Sequence, residues 1–214
     1  MTPSAFRLAQ KSVTKKEIRS IAYNSESDFI MWVEGATIAI VTNTCIHGCV
    51  TERVSISGCS DGEYGYVISE DNFVRKFELS NGITLGEWPV PANSPYHHQM
   101  TVINGKIYYC NVTNNEIIIF SACKESATKA SIMSLGMLER PAYIVDNTKH
   151  QKETVIISGA SGVGKFPIVH GISEPEWFTP IEHARGTCLD FRGMIYMGTS
   201  PPSAICMLAQ GTGR

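Results

Sequence analysis

The sequence predicts an all-β fold, because short apolar runs recur along the whole chain and helical periodicity is almost absent. The runs come in pairs, and a polar or glycine-rich turn separates the two members of each pair. The first members are residues 29–33, 64–68, 106–110, 154–158 and 194–197, at spacings of roughly 35 to 48 residues. The second members are residues 37–41, 73–77, 116–120, 166–169 and 204–208.

A repeat of this length, built only from short strands, is typical of a β-propeller. Some middle strands are apolar at every position, such as residues 117–120, which indicates sheets that are buried on both faces. We therefore predict a single domain over residues 1–214, folded as a five-bladed β-propeller. A β-sandwich is the alternative, because it also spaces short strands evenly.

Each blade also needs an inner and an outer strand. An inner-strand candidate precedes every pair, at residues 20–23, 54–57, 99–103, 142–145 and 187–191. Outer-strand candidates are fainter and lie at residues 86–90, 131–134 and 176–178. The last blade lacks an outer strand, and we predict that the N-terminal residues 5–9 supply it and close the ring, which removes the exposed sheet edges.

One stretch also resembles a known family of repeats. Residues 97–120 contain Asn104-Gly105-Lys106-Ile107-Tyr108-Tyr109, followed by Asn111, Asn114 and the apolar run that ends at Phe120. This order is similar to one repeat of the NHL-type propellers, and the other blades match it loosely. The resemblance implies the propeller fold and leaves the function open, since propellers host many unrelated activities.

Composition excludes several classes of function. The chain has 18 basic and 20 acidic residues, and its net charge of −2 argues against generic binding to nucleic acid or to an anionic membrane. No apolar run approaches the roughly 20 residues of a membrane-spanning helix, and the N-terminus does not resemble a signal peptide. Seven scattered cysteines do not form a disulfide framework. We therefore expect a cytoplasmic protein.

The repeat alignment predicts a cluster of cationic residues at one mouth of the channel. The residues that open the inner strands are Arg19, Arg53, His97, Arg140 and Arg185, spaced by 34, 44, 43 and 45 residues. Converging guanidinium groups repel one another unless an anion or nearby carboxylates neutralise them. The alternative is that each arginine pairs with an acid that precedes it: Glu17, Glu52, Glu139 or Glu182.

The main functional hypothesis is therefore an anion-binding module. Its ligand would be a phosphorylated metabolite, a nucleotide or an acidic glycan, held by the arginine fork, with Tyr96 and Tyr143 as stacking partners. A hydrolase or lyase that uses His97 or His98 as an acid or base is one alternative. A protein-interaction or assembly subunit is the other, and no cofactor is expected.

Two further motifs have the spacing of functional sites. Gly159, Gly164 and Lys165 have the spacing of a phosphate-binding P-loop, but Phe166 stands where that loop needs Ser or Thr, so we predict a glycine-rich hairpin turn. Cys45, His47 and Cys49 alternate as strand residues on one face do, which makes them a zinc-site candidate of low priority. We expect an irregular connection between blades there.

Overall fold

The computed structural model describes residues 18–24, 29–34, 37–41, 46–50, 53–90, 99–121, 131–151, 153–182, 184–190, 192–199 and 204–209. For the described residues between 18 and 50, and for residues 131, 132 and 185, only the backbone is described. Within these ranges, no helix has the length and apolarity that a membrane span requires.

In the described part of the chain, twenty strands form five sheets that follow one another in sequence. Sheet 1 contains β1 (Ile18–Asn24), β2 (Phe29–Glu34), β3 (Thr37–Val41) and β4 (Ile46–Val50). Sheet 2 contains β5 (Ser55–Ser60), β6 (Tyr64–Ser69), β7 (Phe73–Glu78) and β8 (Thr84–Pro89). Sheet 3 contains β9 (Met100–Ile103), β10 (Lys106–Asn111), β11 (Glu116–Ser121), β12 (Ser131–Leu135) and the later strand β16 (Gly171–Ser173).

The last two sheets complete the array. Sheet 4 contains β13 (Pro141–Asp146), β14 (Thr154–Gly159), β15 (Gly162–Pro167) and β17 (Trp177–Pro180). Sheet 5 contains β18 (Ala184–Leu189), β19 (Ile195–Thr199) and β20 (Ala204–Leu208). The all-β prediction is confirmed, and five separate sheets replace the two layers that a sandwich would require.

Neighbouring strands within each sheet are antiparallel and follow chain order, with one exception. The chain leaves sheet 4 after β15 and adds β16 to the outer edge of sheet 3, where β16 pairs in parallel with β12, before it returns to sheet 4 as β17. Ser173 then donates a hydrogen bond of 2.8 Å from Oγ to the carbonyl of Pro167. This excursion ties the two sheets together, and sequence patterns do not predict it because a three-residue strand has no measurable periodicity.

The sheets stack face to face through their first strands. β1 packs on β5, β5 on β9, β9 on β13, and β13 on β18, as expected for inner strands that line a common axis. On β11, Ile118 and Phe120 join the core against sheet 2, while Ile117 and Ile119 join the core against sheet 4. The prediction of middle strands buried on both faces is confirmed, and each such side chain contributes about 1.5–3 kcal/mol of transfer free energy.

Ring closure is not part of what the structure describes. Among the described residues, no strand pairing joins sheet 1 to sheet 5, and sheet 5 has three strands. The predicted closing strand, residues 5–9, lies outside the described residues. The five-blade count and the closure of the ring therefore stay predictions.

Candidate interaction face

One end of every sheet carries the features that the sequence singles out. In an antiparallel sheet, the start of the first strand and the turn between the second and third strands lie at the same end. We call this end the turn face; its described turns span residues 70–72, 112–115 and 160–161. Asn72 and Asn115 adopt φ angles of 62° and 53°, in the left-handed region that asparagine tolerates better than most residues.

The structure places the four predicted arginines at this end, but at different positions relative to the first strand of each sheet. Arg53 is exposed two residues before β5, and Arg140 is exposed directly before β13. Arg19 and Arg185 instead lie within β1 and β18, as the second residue of each strand.

The strand register shows how the positions of the four arginines differ. Four of the five first strands carry a β-bulge near their start, and the extra residues are Arg19, Ile56, Ala142 and Arg185. Arg19 and Arg185 are therefore equivalent, whereas Arg53 and Arg140 precede the equivalent positions by three and two residues. The arginines share one end of the sheets without sharing one structural slot, because they lie at different distances along the chain from bulges that are themselves equivalent.

The bulge in β13 also contributes to the contact between sheets 3 and 4. The carbonyl of Ala142, the bulged residue of β13, accepts a hydrogen bond of 3.0 Å from the backbone amide of Gln99, next to β9 in sheet 3. Gln99 lies at the same end of the sheets as the arginines. Its side-chain Oε1 is buried and has no hydrogen-bond partner in the part of the chain that is described.

The remaining predicted ligand residues are described only in part. Tyr143 is half-buried on β13. Tyr96, His97 and His98 lie outside the described residues. The anion site and the alternative catalytic role of His97 or His98 therefore stay predictions.

The most fully defined feature of the turn face is the connection between sheets 3 and 4, residues 136–140, which we call the 136–140 loop. Hydrogen bonds hold it to the turns of both sheets. On the sheet 3 side, the Oδ1 atom of Asn115 accepts from the amide of Arg140 at 2.8 Å. On the sheet 4 side, the Oγ atom of Ser161 accepts from the amide of Glu139 at 2.9 Å, and the Glu139 carbonyl accepts from the amide of Ala160 at 2.8 Å.

Gly159 allows this close approach. A Cβ atom at position 159 would lie 2.6 Å from the carbonyl oxygen of Glu139 and 2.7 Å from that of Arg140. Both atoms belong to the backbone, so any larger residue would force the 136–140 loop to move. Leu138, which is 1% exposed, anchors the centre of the loop in the core between sheets 3 and 4.

The anchored loop presents three side chains to solvent. Met137 is 55% exposed, although its neighbour Leu138 is buried, and Glu139 and Arg140 are exposed beside it. No acid in the described part of the chain forms an ion pair with Arg140. The result is an apolar group and a planar cation on a fixed backbone, a combination suited to contact with a protein surface.

The P-loop-like motif is a hairpin, as predicted. β14 and β15 pair along their lengths on either side of residues 160–161, and Lys165 lies within β15. The Lys165 ammonium is buried and contacts Glu176 Oε2 at 2.8 Å and Gln151 Oε1 at 2.5 Å. That contact lowers the pKa of Glu176. Since Lys165 is engaged by a carboxylate, it is not presented to a phosphate.

The metal-site candidate is only partly described. His47 and Cys49 lie within the strand β4, whereas we expected an irregular connection between blades at this position. Cys45 lies outside the described residues. In the part of the chain that is described, no three His, Cys, Asp or Glu residues are grouped closely enough to hold a metal ion.

Comparison with known proteins supports the fold. No family model matches the sequence, and no curated protein matches it. Among solved structures, the β-propeller domain of Myceliophteria thermophila Cps50 (Swd1) superposes with a TM-score of 0.66 at 10% identity, over 88% of this chain and 64% of that one. The structure of U3-55K superposes with a TM-score of 0.67 at 9% identity, over 89% of this chain and 62% of that one.

These comparisons define the class of protein as a β-propeller-type repeat array. At 9–10% identity the likeness concerns the fold alone. The chain spans less than two thirds of the length of either structure. No more specific identity follows from them.

The sequence alone does not predict the 136–140 loop. Arginine spacing drew attention to Arg140, but Met137 carries no motif, and its exposure depends on how two turns from different sheets hold the backbone. The sequence does indicate a loop here, because Gly136 and Pro141 lie on either side of residues 137–140. Glycine often follows the end of one strand, and proline is tolerated as the first residue of the next.

Proposed function

We propose that this chain is a protein-interaction or assembly module, and that the 136–140 loop contacts its partner. The observation that carries the proposal is the exposure of Met137 on a backbone that is hydrogen-bonded on both sides. A backbone that is already held in place loses little further conformational freedom when a partner binds, so more of the interaction free energy appears as affinity.

The chemistry of the loop specifies the kind of partner surface that fits it. Methionine adapts its shape to an apolar surface through a flexible thioether chain. Arg140 offers a planar fork that binds a carboxylate through two parallel hydrogen bonds. We therefore expect the partner to present an apolar side chain next to an aspartate or a glutamate.

Site-specific photocrosslinking tests this proposal. A photoactivatable amino acid replaces Met137 in one variant and the exposed Lys149 in a matched control, which lies at the opposite end of sheet 4. We expect one adduct of defined mass from position 137 and none from position 149. Arg140→Glu in the first variant should abolish the adduct. Equal adducts from both positions, or an adduct insensitive to Arg140→Glu, would contradict the proposal.

Anion binding is the second candidate function, favoured by the exposure of both Arg53 and Arg140 on the turn face. We propose Arg19, Arg53, Arg140 and Arg185, with Tyr96, His97, His98 and Tyr143, as its residues. A thermal-shift screen with phosphate, nucleotides and sugar acids tests it, because a ligand that binds only the folded state raises the unfolding midpoint. The Arg140→Ala/Arg185→Ala variant should lose the shift, and an unchanged shift would remove the idea.

For the closing strand, we propose that residues 5–9 pair with the outer edge of β20. This pairing would give sheet 5 the fourth strand that sheets 1, 2 and 4 have, and would satisfy the backbone groups of its edge. It would also close the array as a five-bladed ring, with the N-terminal strand joined to the last sheet.

A further inference from the structure

The dipeptide Asn-Gly occurs twice in the sequence, at residues 81–82 and 104–105. Asparagine readily loses its side-chain amide when glycine follows it, because glycine has no Cβ atom to hinder attack by its backbone nitrogen. Both pairs lie in turns, and both glycines have positive φ angles, 74° at Gly82 and 72° at Gly105. The two pairs are equivalent in sequence, so only their surroundings in the fold distinguish them.

Hydrogen bonds hold the reacting groups of the first pair. The side chain of Asn81 donates from Nδ2 to Glu78 Oε2 at 2.5 Å and accepts at Oδ1 from the amide of Ile83 at 2.8 Å. The backbone nitrogen of Gly82, which would be the attacking atom, donates to the Glu78 carbonyl at 2.8 Å. Attack at this pair must break all of these hydrogen bonds, so it is slow while the turn is folded.

The second pair forms the whole turn between β9 and β10, since Ile103 and Lys106 on either side of it are already paired. Asn104 has a φ angle of 50°, and positive φ at both turn residues is the geometry for which hairpins prefer Asn-Gly. The Asn104 side chain is exposed, and it makes no hydrogen bond in the part of the chain that the structure describes. Its amide can therefore rotate toward the backbone nitrogen of Gly105 when the turn opens locally.

We propose that Asn104 is a site of spontaneous deamidation and that the product alters the inner strand of sheet 3. The backbone nitrogen of Gly105 loses its proton and attacks the Cγ atom of Asn104. The new carbon–nitrogen bond closes a succinimide ring, and the side-chain nitrogen leaves as ammonia. Water then opens the ring at one of its two carbonyl carbons. One product is aspartate, and the other is isoaspartate, in which the backbone continues through the former side-chain carbonyl. Water is the only co-reactant.

Isoaspartate adds a methylene group to the backbone of a turn that holds only two residues, so the pairing of Ile103 with Lys106 cannot keep its geometry. The strand that ends at this turn, β9, has four residues and packs between β5 and β13. Loss of its pairing therefore affects the contacts of sheet 3 with both of its neighbours. This turn lies at the end of the sheets opposite to the turn face, so the modification is independent of the proposed function.

Peptide mapping of protein that has aged in warm, mildly alkaline buffer tests the proposal. Mass spectrometry measures the fraction of each Asn-Gly pair that has exchanged its amide for a carboxyl group. Transfer of a labelled methyl group from S-adenosylmethionine by an isoaspartyl methyltransferase identifies isoaspartate. Asn81 is the matched control, because it belongs to the same dipeptide in the same molecule. In the folded chain, Asn104 should react at least about fivefold faster than Asn81, whereas in urea the two should react at similar rates. Equal rates in the folded chain, or a faster reaction at Asn81, would overturn the proposal.

Thermal unfolding of the aged protein tests the effect on sheet 3. The fraction that carries isoaspartate at position 104 should unfold at a midpoint at least about 4 °C lower than fresh protein. Asn104→Gly keeps a residue that accepts the positive φ angle and removes the reactive amide, so ageing should leave its midpoint unchanged. An isoaspartate fraction as stable as fresh protein, or an equal loss of stability in aged Asn104→Gly, would show that the modification does not act through β9. The rate comparison needs no variant, so it stands even if Asn104→Gly does not fold.

Discussion

The side chain of Asn115 and the backbone of Arg140 join two neighbouring sheets, since Asn115 Oδ1 accepts a 2.8 Å hydrogen bond from the Arg140 amide. Asn115 lies in the turn between β10 and β11 of sheet 3, and Arg140 directly precedes β13 of sheet 4. Both residues adopt positive φ angles, 53° and 50°. The position of the 136–140 loop therefore depends on a turn residue 25 positions earlier in the chain.

Asn115→Ala should lower the free energy of unfolding by about 1–2 kcal/mol, because it leaves the Arg140 amide without its acceptor and places alanine in the left-handed region. Urea unfolding measures this loss, and hydrogen exchange should be faster at Arg140. The control is Asn114→Ala, which removes only an exposed hydrogen bond to Glu116 and should change stability by less than about 0.5 kcal/mol. Equal losses in the two variants would contradict the anchoring role of Asn115.

Gly159→Ala should displace the 136–140 loop, since its Cβ atom would lie 2.6 Å from the Glu139 carbonyl oxygen. We expect a destabilisation of about 1–3 kcal/mol, typical of overpacking. Gly186→Ala is the control, because its Cβ atom would enter open space. Thermal unfolding of the two variants compares them, and a Gly159→Ala chain as stable as the control would show that the loop is not held there.

Lys165→Met should weaken the dependence of stability on pH in the acid range. The Lys165 ammonium lowers the pKa of Glu176 below its ordinary 4.5. A carboxyl group whose pKa is lower in the folded state stabilises the fold above its unfolded pKa, and this contribution is lost as the pH falls through the folded pKa. The stability gap between the wild type and Lys165→Met should therefore be largest near neutral pH and should narrow below pH 4.5.

Urea unfolding of both proteins at neutral and at acid pH measures this gap. Lys106→Met removes an exposed lysine of β10 and should show no such narrowing. A gap that is constant with pH would remove the Lys165–Glu176 contact as its cause.

The cysteines should differ strongly in reactivity. Burial raises the pKa of the Cys59 and Cys110 thiols, so little thiolate forms in the folded protein at mildly alkaline pH. Cys188 is exposed and should be the first of these three cysteines to be modified by a maleimide. Mass spectrometry of labelled peptides follows each site, with unfolded protein as the reference in which all three react alike. Rapid labelling of Cys110 in the folded chain would contradict the packing of sheet 3.

The strands that the sequence predicts best are those buried on both faces. Residues 117–120 are apolar because they contact two neighbouring sheets at once. This requirement produces a pattern within one short segment, so the sequence of that segment alone reveals it. The 136–140 loop and β16 are different, because their positions depend on turns and edges supplied by other sheets. The bulges at Arg19 and Arg185 are equally hard to predict. An extra residue in a strand is defined only by its pairing with the neighbouring strand, and the spacing of residues in the sequence does not reveal it.

The binding of a partner at the 136–140 loop is tested most directly by calorimetry with the partner that crosslinks to position 137. The Met137→Ala/Arg140→Ala variant should bind at least tenfold more weakly than the wild type, and Ile83→Ala should bind equally well. If the double variant retains wild-type affinity while Ile83→Ala loses it, the contact lies on the outer rim of sheet 2 and the assignment of the 136–140 loop is wrong.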